Sequence, residues 1–399
     1  MRTVLIDDDT LALRLLALQL QHLGYGNITQ CARPHEALAL LESEFETIGL
    51  VFCDLQMPDI DGVQFVRHLA RIGYRGNMVL VSGEDERILQ TVRKLAQAHH
   101  IDVLGTLQKP FSLTQLQQVL LDTAARALLK PQSVHRTYTI DELQRAIDEG
   151  ELVNYYQPKV SMATGALVGV ETLVRWQRPT VGLVMPDQFI SRAEEYGLID
   201  DLTRVVLATA IRQAQLWRDN GLDLHIAINV SMDNLAALNF PDVVAQLARD
   251  SGVAPTQVVL EVTESRLMHD PCAALDVLTR LRLKRIGLSI DDFGTGHSSL
   301  AQLRDIPFDE LKLDRSFING ASHDSGLRAI VEPTLDMARH LGMRTVAEGI
   351  ETRDDWDLLR TCGCDVAQGY FIGRPMPAAE LPAWHSSWAQ RWQEMNAAA

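Results

Sequence analysis

Short apolar runs alternate with helical periodicity over residues 1–124, and each run ends in a polar side chain. The predicted strands are Thr3–Ile6, Leu50–Cys53, Met78–Val81 and Val103–Leu107. Between the first two, Leu11–Leu23 has the apolar spacing of a helix that ends at Gly24. Strands separated by helices form a parallel, doubly wound sheet, so we predict an α/β domain here.

Polar residues stand where these predicted strands end. They are Asp7, Asp8, Asp54, Ser82 and Lys109. In a parallel sheet the carboxyl ends of the strands share one edge, where functional groups gather. Aspartates can hold Mg²⁺, while a hydroxyl and an ammonium group can bind phosphoryl oxygens. Singly, each could be an ordinary solvated side chain, but together they favour an aspartate phosphorylation site with one metal ion.

A second strand and helix rhythm runs from residue 138 to 385, about the length of a TIM barrel. A helical run ends at Lys130-Pro131, and we predict a linker at 125–137 and a tail at 386–399. The predicted barrel strands are Val153–Val160, Leu167–Trp176, Leu224–Val230, Val258–Val262, Gly287–Ile290, Glu310–Leu313, Arg344–Ala347 and Asp365–Ala367.

The first connection in this half is too short for a parallel crossover. Only Ser161–Ala166 separate the first two strands, which suits a hairpin. We therefore predict a modified TIM barrel with one antiparallel strand. In the tail, Trp384, Trp388 and Trp392 lie at four-residue spacing, which favours a helix packed on the core over a ligand site.

Composition narrows the range of partners. The formal charge is −15 and the pI about 5.2, which argues against nucleic acid and anionic membrane surfaces. The sequence contains no run of about 18 apolar residues, and its start reaches acidic residues too soon for a signal peptide. Five scattered cysteines suit neither a disulfide framework nor a zinc site. We expect a cytosolic protein without membrane insertion.

Oxygen-bearing side chains end successive strands of the predicted barrel. In chain order the polar residues are Glu171, Asn229, Glu261, Asp291, Asp292, Lys312, Glu348 and Gln368. Barrel chemistry lies at the C-terminal rim of the strands, and several oxygen ligands suit Mg²⁺ or Mn²⁺. Two such ions would favour attack of water on phosphorus, with Asp291 bridging them and Lys312 orienting the water or offsetting charge. A purely structural role is possible for each residue alone, but not readily for so many strands in turn.

The first half resembles the receiver domain of bacterial response regulators, especially in Asp54-Leu-Gln-Met-Pro-Asp-Ile-Asp-Gly62. The resemblance implies that Asp54 accepts the phosphoryl group, that Asp7 and Asp8 bind the metal, and that a sensor histidine kinase is the partner. Thr106 stands where receivers usually carry an aromatic switch residue, so an aromatic relay is not expected.

The second half resembles the EAL family of cyclic di-GMP phosphodiesterases. The matching segments are Tyr156-Gln-Pro158, Glu171-Thr-Leu-Val-Arg-Trp176, Asn229-Val-Ser231, Glu261-Val-Thr-Glu264, Asp291-Asp-Phe-Gly-Thr-Gly296, Lys312-Leu-Asp314, Ala347-Glu-Gly-Ile-Glu351 and Gln368-Gly-Tyr370. The resemblance implies one metal on Glu171, Asn229, Glu261 and Asp291, and the other on Asp291, Asp292 and Glu348. It also implies that Lys312 contacts the reacting water.

Further roles follow from the same resemblance. Arg175 would meet a phosphate, Gln157, Asp314 and Pro375 would contact the guanine ends of the substrate, and Gln368 would also bind the substrate. Glu264 would steady the loop that begins at Phe293 and couple metal binding to dimerisation. The signature reads Glu-Thr-Leu instead of Glu-Ala-Leu, and His297 replaces a frequent tyrosine.

Three functions are compatible with this sequence. The first is a response regulator that hydrolyses cyclic di-GMP to linear pGpG under the control of receiver phosphorylation, as a homodimer or higher assembly. The second is a barrel that binds the dinucleotide without cleaving it, and the third is a signalling scaffold. All expected metal positions are filled, which favours the enzyme.

Overall fold

The chain divides into two compact units, Met1–Val134 and His135–Ala399. The computed structural model describes residues 2–44, 47–74, 76–83, 86–99, 101–120, 138–179, 181–263, 271–294 and 300–397. The predicted linker at 125–137, Glu264 and His297 lie outside the described residues. Each unit is considered by itself below.

A five-stranded parallel sheet forms the first unit, in the order β2-β1-β3-β4-β5. Its strands are β1 (Arg2–Ile6), β2 (Ile28–Cys31), β3 (Ile48–Asp54), β4 (Asn77–Ser82) and β5 (Asp102–Gln108). The four predicted strands are confirmed. The sequence did not reveal β2, because this edge strand buries only Cys31 and so lacks an apolar run.

Helices cover both faces of this sheet. They are α1 (Thr10–His22), α2 (Pro34–Glu44), α3 (Gly62–Arg71), α4 (Glu86–Ala98) and α5 (113–120). Alternate strand residues face opposite sides: Val4 and Ile6 join the core beneath α2–α4, whereas Leu5 joins the core beneath α1 and α5. The doubly wound α/β fold is therefore confirmed.

The second unit contains a closed eight-stranded barrel with two short added strands. The strands are β6 (Leu152–Ser161), β7 (Leu167–Arg178), β8 (Gly182–Val184), β9 (His225–Asn229), β10 (Val258–Thr263), β11 (Gly287–Phe293), β12 (Glu310–Leu313), β13 (Arg344–Ala347), β14 (Val366–Ala367) and β15 (Met376–Pro377). Strand β6 is antiparallel to both β7 and β14, while β7 and β9–β14 are parallel neighbours. The predicted reversed strand is confirmed.

Helices surround this barrel. They are α6 (Ile140–Asp148), α7 (Ile190–Glu195), α8 (Ile199–Asp219), α9 (Met232–Ala236), α10 (Phe240–Asp250), α11 (Pro271–Leu283), α12 (Leu300–Asp305), α13 (Arg315–Ile318), α14 (Ser325–His340), α15 (Arg353–Thr361) and α16 (Leu381–Ala397). Across the described part of the chain, no helix combines the length and apolar character needed to span a bilayer.

The last helix, α16, is anchored on the β6–β7 hairpin. The hairpin turns at Gly165, whose φ of 69° is a left-handed conformation that glycine adopts readily. The indole Nε1 of Trp388 donates to the Gly165 carbonyl at 2.8 Å, and a Cβ at Gly165 would collide with the Trp392 ring. Trp388 is buried, so the predicted packing of the tryptophan stripe on the core is confirmed. Helix α16 (Leu381–Ala397) therefore continues across the predicted boundary between the barrel, ending at residue 385, and the tail at 386–399.

Candidate functional site

The receiver-type sheet gathers three aspartates at the carboxyl ends of β1 and β3. Ligand atoms of Asp7, Asp8 and Asp54 lie within 4.8 Å of one another. From the end of β5, the Lys109 ammonium contacts Asp7 Oδ2 at 2.6 Å and Asp54 Oδ2 at 2.8 Å. Buried Ser82 ends β4, and its carbonyl accepts a hydrogen bond from the Lys109 amide. The structure therefore brings the predicted residues to one edge of the sheet.

Carboxylates outnumber ammonium groups in this cluster. Burial raises the pKa of Asp7 above its ordinary value, against the opposing effect of Lys109. Burial would lower the pKa of Lys109, but hydrogen bonds to Asp54 and Asp7 raise it instead, so the ammonium stays charged. Thr106 is half-buried on β5 and carries no aromatic ring there. Three carboxylates beside one ammonium group leave a site that suits a divalent cation.

In the barrel, the predicted residues also meet at the carboxyl ends of the strands. Lys312, on β12, is fully buried at the centre of this group. Its Nζ lies 2.6 Å from Glu348 Oε1, 2.9 Å from Glu261 Oε2, 3.1 Å from Asp291 Oδ1 and 3.9 Å from Glu171 Oε1. One ammonium group thus contacts carboxylates from four different strands or strand ends. Lys312 therefore organises the site.

The adjacent Asp291 and Asp292 face the site together because the strand is irregular there. Consecutive residues of a regular strand point to opposite faces. The register of β11 with β12 shifts after Ile290, and Asp292 has a φ of 54°, a left-handed conformation that aspartate tolerates better than most residues. The Asp292 amide also donates to Asp291 Oδ1 at 2.9 Å. As a result, ligand atoms of Asp291, Asp292 and Glu348 lie within 4.8 Å of one another.

Two amide side chains hold Glu171. The Nδ2 of Asn229 donates to Glu171 Oε1 at 2.9 Å, and the Nε2 of Gln368 donates to Glu171 Oε2 at 2.5 Å. Gln368 also donates to Gln157 Oε1 at 3.0 Å, and Gln157 donates to the Gly373 carbonyl at 3.0 Å. Gln157 and Gln368 therefore fix the orientation of Glu171 from the reversed strand and from the end of β14.

Burial disfavours the ionised form of most carboxylates in this site. It raises the pKa of Glu171 and Asp292, and raises that of Glu348 well above its ordinary value. Glu261 differs: burial alone would raise its pKa, but the ammonium groups of Lys159 and Lys312 hold it at about 2. Nearby like charges disfavour ionisation unless a cation offsets them. Carboxylates outnumber ammonium groups here, so this oxygen-rich donor set fits divalent cations.

A cleft opens above these groups. Its lining residues include Gln157, Glu171, Asp291, Asp292, Asp314, Glu348 and Gln368, together with Arg315, Glu351 and Tyr370, which the sequence analysis did not assign to the site. Arg175 and Pro375 do not contribute to this lining. The guanidinium of Arg175 is directed elsewhere: it donates to the Val174 carbonyl at 2.9 Å and lies 5.6 Å from the Tyr155 ring centroid. The predicted phosphate contact of Arg175 therefore stays a prediction.

Beneath the cleft lie charged residues that the sequence analysis missed. Lys159 Nζ contacts Glu261 Oε1 at 2.7 Å and Glu310 Oε1 at 3.2 Å, and Ser289 Oγ donates to Glu310 Oε1 at 3.1 Å. Lys159 is two residues from Gln157, Glu310 is two residues from Lys312, and Ser289 is two residues from Asp291. Residues two apart lie on the same face of a strand. Applying the two-residue period of a strand to the predicted site residues could have revealed them.

The fold and both acidic clusters define a two-part protein, in which a parallel sheet with three aspartates at one edge is followed by a modified barrel with carboxylates at its mouth. The response regulator receiver domain family matches residues 3–121, and the EAL domain family matches residues 140–375. The chain belongs to the EAL domain family and carries an N-terminal receiver domain.

Individual relatives share this architecture wholly or in part. Cyclic di-GMP phosphodiesterase RocR of Pseudomonas aeruginosa is 34% identical over 377 residues, which cover 94% of this chain and 96% of RocR. MucR, a bifunctional diguanylate cyclase/cyclic di-GMP phosphodiesterase of the same organism, is 43% identical over 245 residues, or 61% of this chain and 36% of MucR. The chain thus spans nearly all of RocR but about a third of MucR.

Solved structures agree with the barrel. The MucR phosphodiesterase in complex with c-di-GMP is 43% identical, with a TM-score of 0.58, and the match covers 61% of this chain and 98% of that structure. The EAL enzyme Bd1971, in its cAMP- and cyclic-di-GMP-bound form, is 27% identical with a TM-score of 0.58, over 68% of this chain and 76% of that structure.

Proposed function

We propose that this protein is a response regulator that hydrolyses cyclic di-GMP to linear pGpG. The observation that carries the proposal is the group of carboxylates around Lys312 at the mouth of an EAL barrel. In the reaction, one water molecule adds to one phosphorus and one P–O bond of the ring breaks. The water oxygen stays on phosphorus, and the departing 3′ oxygen takes up a proton. RocR, named as such a phosphodiesterase, supports this activity along nearly the whole chain.

The side chains at the mouth would hold two Mg²⁺ or Mn²⁺ ions. Asp291, Asp292 and Glu348 would hold one ion. Glu171, Asn229 and Glu261 would hold the other together with Asp291, which is common to both sets. The bound ions would neutralise the phosphate and increase the acidity of a water molecule. Asn229 and Gln368 keep Glu171 oriented, so that its position does not depend on the substrate.

Lys312 serves as the catalytic cation of the chain itself. Its ammonium group lies between carboxylates from four different strands or strand ends, and its side chain is fully buried. A fixed positive charge in a buried position stabilises negative charge that develops during the reaction. Lys312 would therefore orient the attacking water and offset charge on the phosphoryl oxygens. Gln157 and Asp314, which line the cleft, would contact the rest of the dinucleotide.

The receiver unit controls this activity in our proposal. A sensor histidine kinase would donate a phosphoryl group to an oxygen of Asp54, with one Mg²⁺ or Mn²⁺ ion held by Asp7, Asp8 and Asp54. Lys109 and Ser82 would contact the phosphoryl oxygens. Lys109 already contacts Asp54 and Asp7, so phosphorylation would exchange one of its carboxylate partners for a phosphoryl group. A homodimer or higher assembly, with Glu264 steadying the loop after Phe293, completes the proposal.

Purified protein incubated with Mg²⁺ and cyclic di-GMP tests the activity. Chromatography should show conversion to pGpG, and a small-molecule phosphodonor should change the rate. Binding of the dinucleotide without turnover would instead identify a sensor. If the protein neither bound nor hydrolysed cyclic di-GMP, the scaffold function would be favoured.

A further inference from the structure

A line of buried charges continues from the catalytic mouth into the barrel interior. Starting from the mouth, Lys312 contacts Glu261, Glu261 contacts Lys159, and Lys159 contacts Glu310. The three joining distances are 2.9, 2.7 and 3.2 Å. None of these four residues exposes more than 8% of its surface. Lys159 and Glu310 lie outside the proposed ligand set, and the cleft lining does not include Lys159.

Lys159 and Glu310 belong to the layer just below the site. Lys159 follows Gln157 by two residues on reversed strand β6, whereas Glu310 precedes Lys312 by two residues on β12. Because β6 runs in the opposite direction, both offsets lead downward from the mouth. Opposite Lys159 on β7 stands Gly169, which contributes no side chain to this layer. The Lys159 side chain reaches from β6 to Glu261 on β10 and Glu310 on β12.

Packing alone does not account for charges in this layer. The interior of such barrels is usually filled by Val, Ile and Leu. Taking charges out of water is costly, and replacing a buried ion pair with apolar side chains is often neutral or stabilising. The cost of burying Lys159 and Glu310 therefore indicates a role beyond stability.

The contacts of Glu261 identify that role. Glu261 is completely buried and uses one oxygen for Lys159 and the other for Lys312. Without Lys159, Lys312 would be the one cation among the described residues left in contact with Glu261 and would be drawn towards it, away from Asp291 and Glu348. With Lys159 in place, Lys312 can remain at the centre of the carboxylates.

We propose that Lys159 and Glu310 are positioning residues that hold Glu261 and, through it, place Lys312 and shape the metal site. Ser289 anchors the far end by donating to Glu310. The inference rests on the proposed function, because it concerns the same metal site. The lower layer of the barrel would thus support catalysis by positioning other groups, although none of its residues would touch the substrate.

A charge-balanced double variant separates positioning from folding. Lys159→Met alone leaves Glu310 buried without its cation, so its unfolding midpoint should fall. Lys159→Met with Glu310→Gln removes one charge of each sign and should recover much of that loss. The matched control is Arg178→Met, which removes another buried cation, paired with Glu142 at 3.0 Å, that does not line the cleft.

Three measurements are made on each full-length variant in an Asp7→Asn background, which removes a ligand from the receiver cluster so that Mn²⁺ binding reports on the barrel. They are Mn²⁺ affinity by calorimetry without substrate, the unfolding midpoint, and kcat and KM for cyclic di-GMP. Residues that orient metal ligands typically contribute 10- to 100-fold to affinity or activity. The double variant should lose about 10- to 100-fold in Mn²⁺ affinity and in kcat, with a smaller change in KM. Arg178→Met should retain the wild-type Mn²⁺ affinity and kcat.

The outcomes separate this inference from the proposed function. A double variant that keeps wild-type Mn²⁺ affinity and kcat overturns the positioning role, whatever its unfolding midpoint. If the wild-type protein binds Mn²⁺ but does not turn over cyclic di-GMP, the proposed function fails and the Mn²⁺ affinities alone decide the positioning role. A wild-type protein that binds no Mn²⁺ overturns both.

Discussion

Replacing Lys312 with methionine removes the ammonium group on which the barrel site converges. Methionine preserves most of the side-chain length, so the change is chiefly one of charge. Lys312 Nζ lies within 3.1 Å of oxygens from Glu348, Glu261 and Asp291, all of which would lose their shared cation. Breaking a buried ion pair by removing one partner costs about 3–5 kcal/mol. For a unit of this size, that corresponds to a fall of roughly 10 °C in the unfolding midpoint.

Protonation should recover part of this loss at low pH. Burial already raises the pKa of Glu171 and Glu348, and without Lys312 both values should rise further. A carboxyl whose pKa is raised by folding favours the folded state below its ordinary pKa, and this contribution is lost as pH increases through the raised value. The deficit of Lys312→Met relative to wild type should therefore be smaller at pH 5.5 than at pH 8.

The assays are calorimetric unfolding at both pH values and turnover of cyclic di-GMP. Loss of one fixed charge-stabilising group typically costs about 10²–10³ in kcat. The control is Lys284→Met, whose ion pair with Asp242 spans 2.8 Å at the exposed surface; this variant should keep the wild-type unfolding midpoint and turnover. If Lys312→Met had the wild-type unfolding midpoint and the wild-type kcat, the central role of this ammonium group would be refuted.

Three further predictions concern the two acidic clusters. Saturating Mn²⁺ should raise the unfolding midpoint more at pH 8 than at pH 6, because protons compete with the metal for carboxyls whose pKa is raised. Excess chelator should reverse the shift. A shift that did not depend on pH would count against these carboxyls as metal ligands. Glu171→Ala and Asp291→Ala should each reduce kcat at least about 100-fold in the chromatographic assay, and retained turnover would exclude them as ligands. Asp54→Asn should abolish labelling by a small phosphodonor, with Asp102→Asn as the control; persistent labelling would place the acceptor elsewhere.

The sequence by itself determined most of the strands and the chemical character of the sites. Alternating apolar runs located four receiver strands and eight barrel strands, because strand periodicity depends on neighbouring residues. The short segment Ser161–Ala166 was enough to predict the reversed strand, since no parallel crossover is that short. Oxygen donors at successive strand ends predicted where the acidic clusters would form, because parallel strands share one edge.

Only the tertiary structure decided how those groups meet. Lys159 lies 102 residues from Glu261 and 151 residues from Glu310 in sequence, so these contacts exist only once the barrel has closed. The left-handed conformation of Asp292, which turns two consecutive carboxylates towards one site, likewise depends on the local register of β11 against β12. Burial and ion pairing then give Glu261 and Glu348 opposite pKa shifts although both are glutamates at the same mouth. Residue type supplies the charge, but its surroundings, assembled from distant parts of the chain, decide its ionisation and contacts.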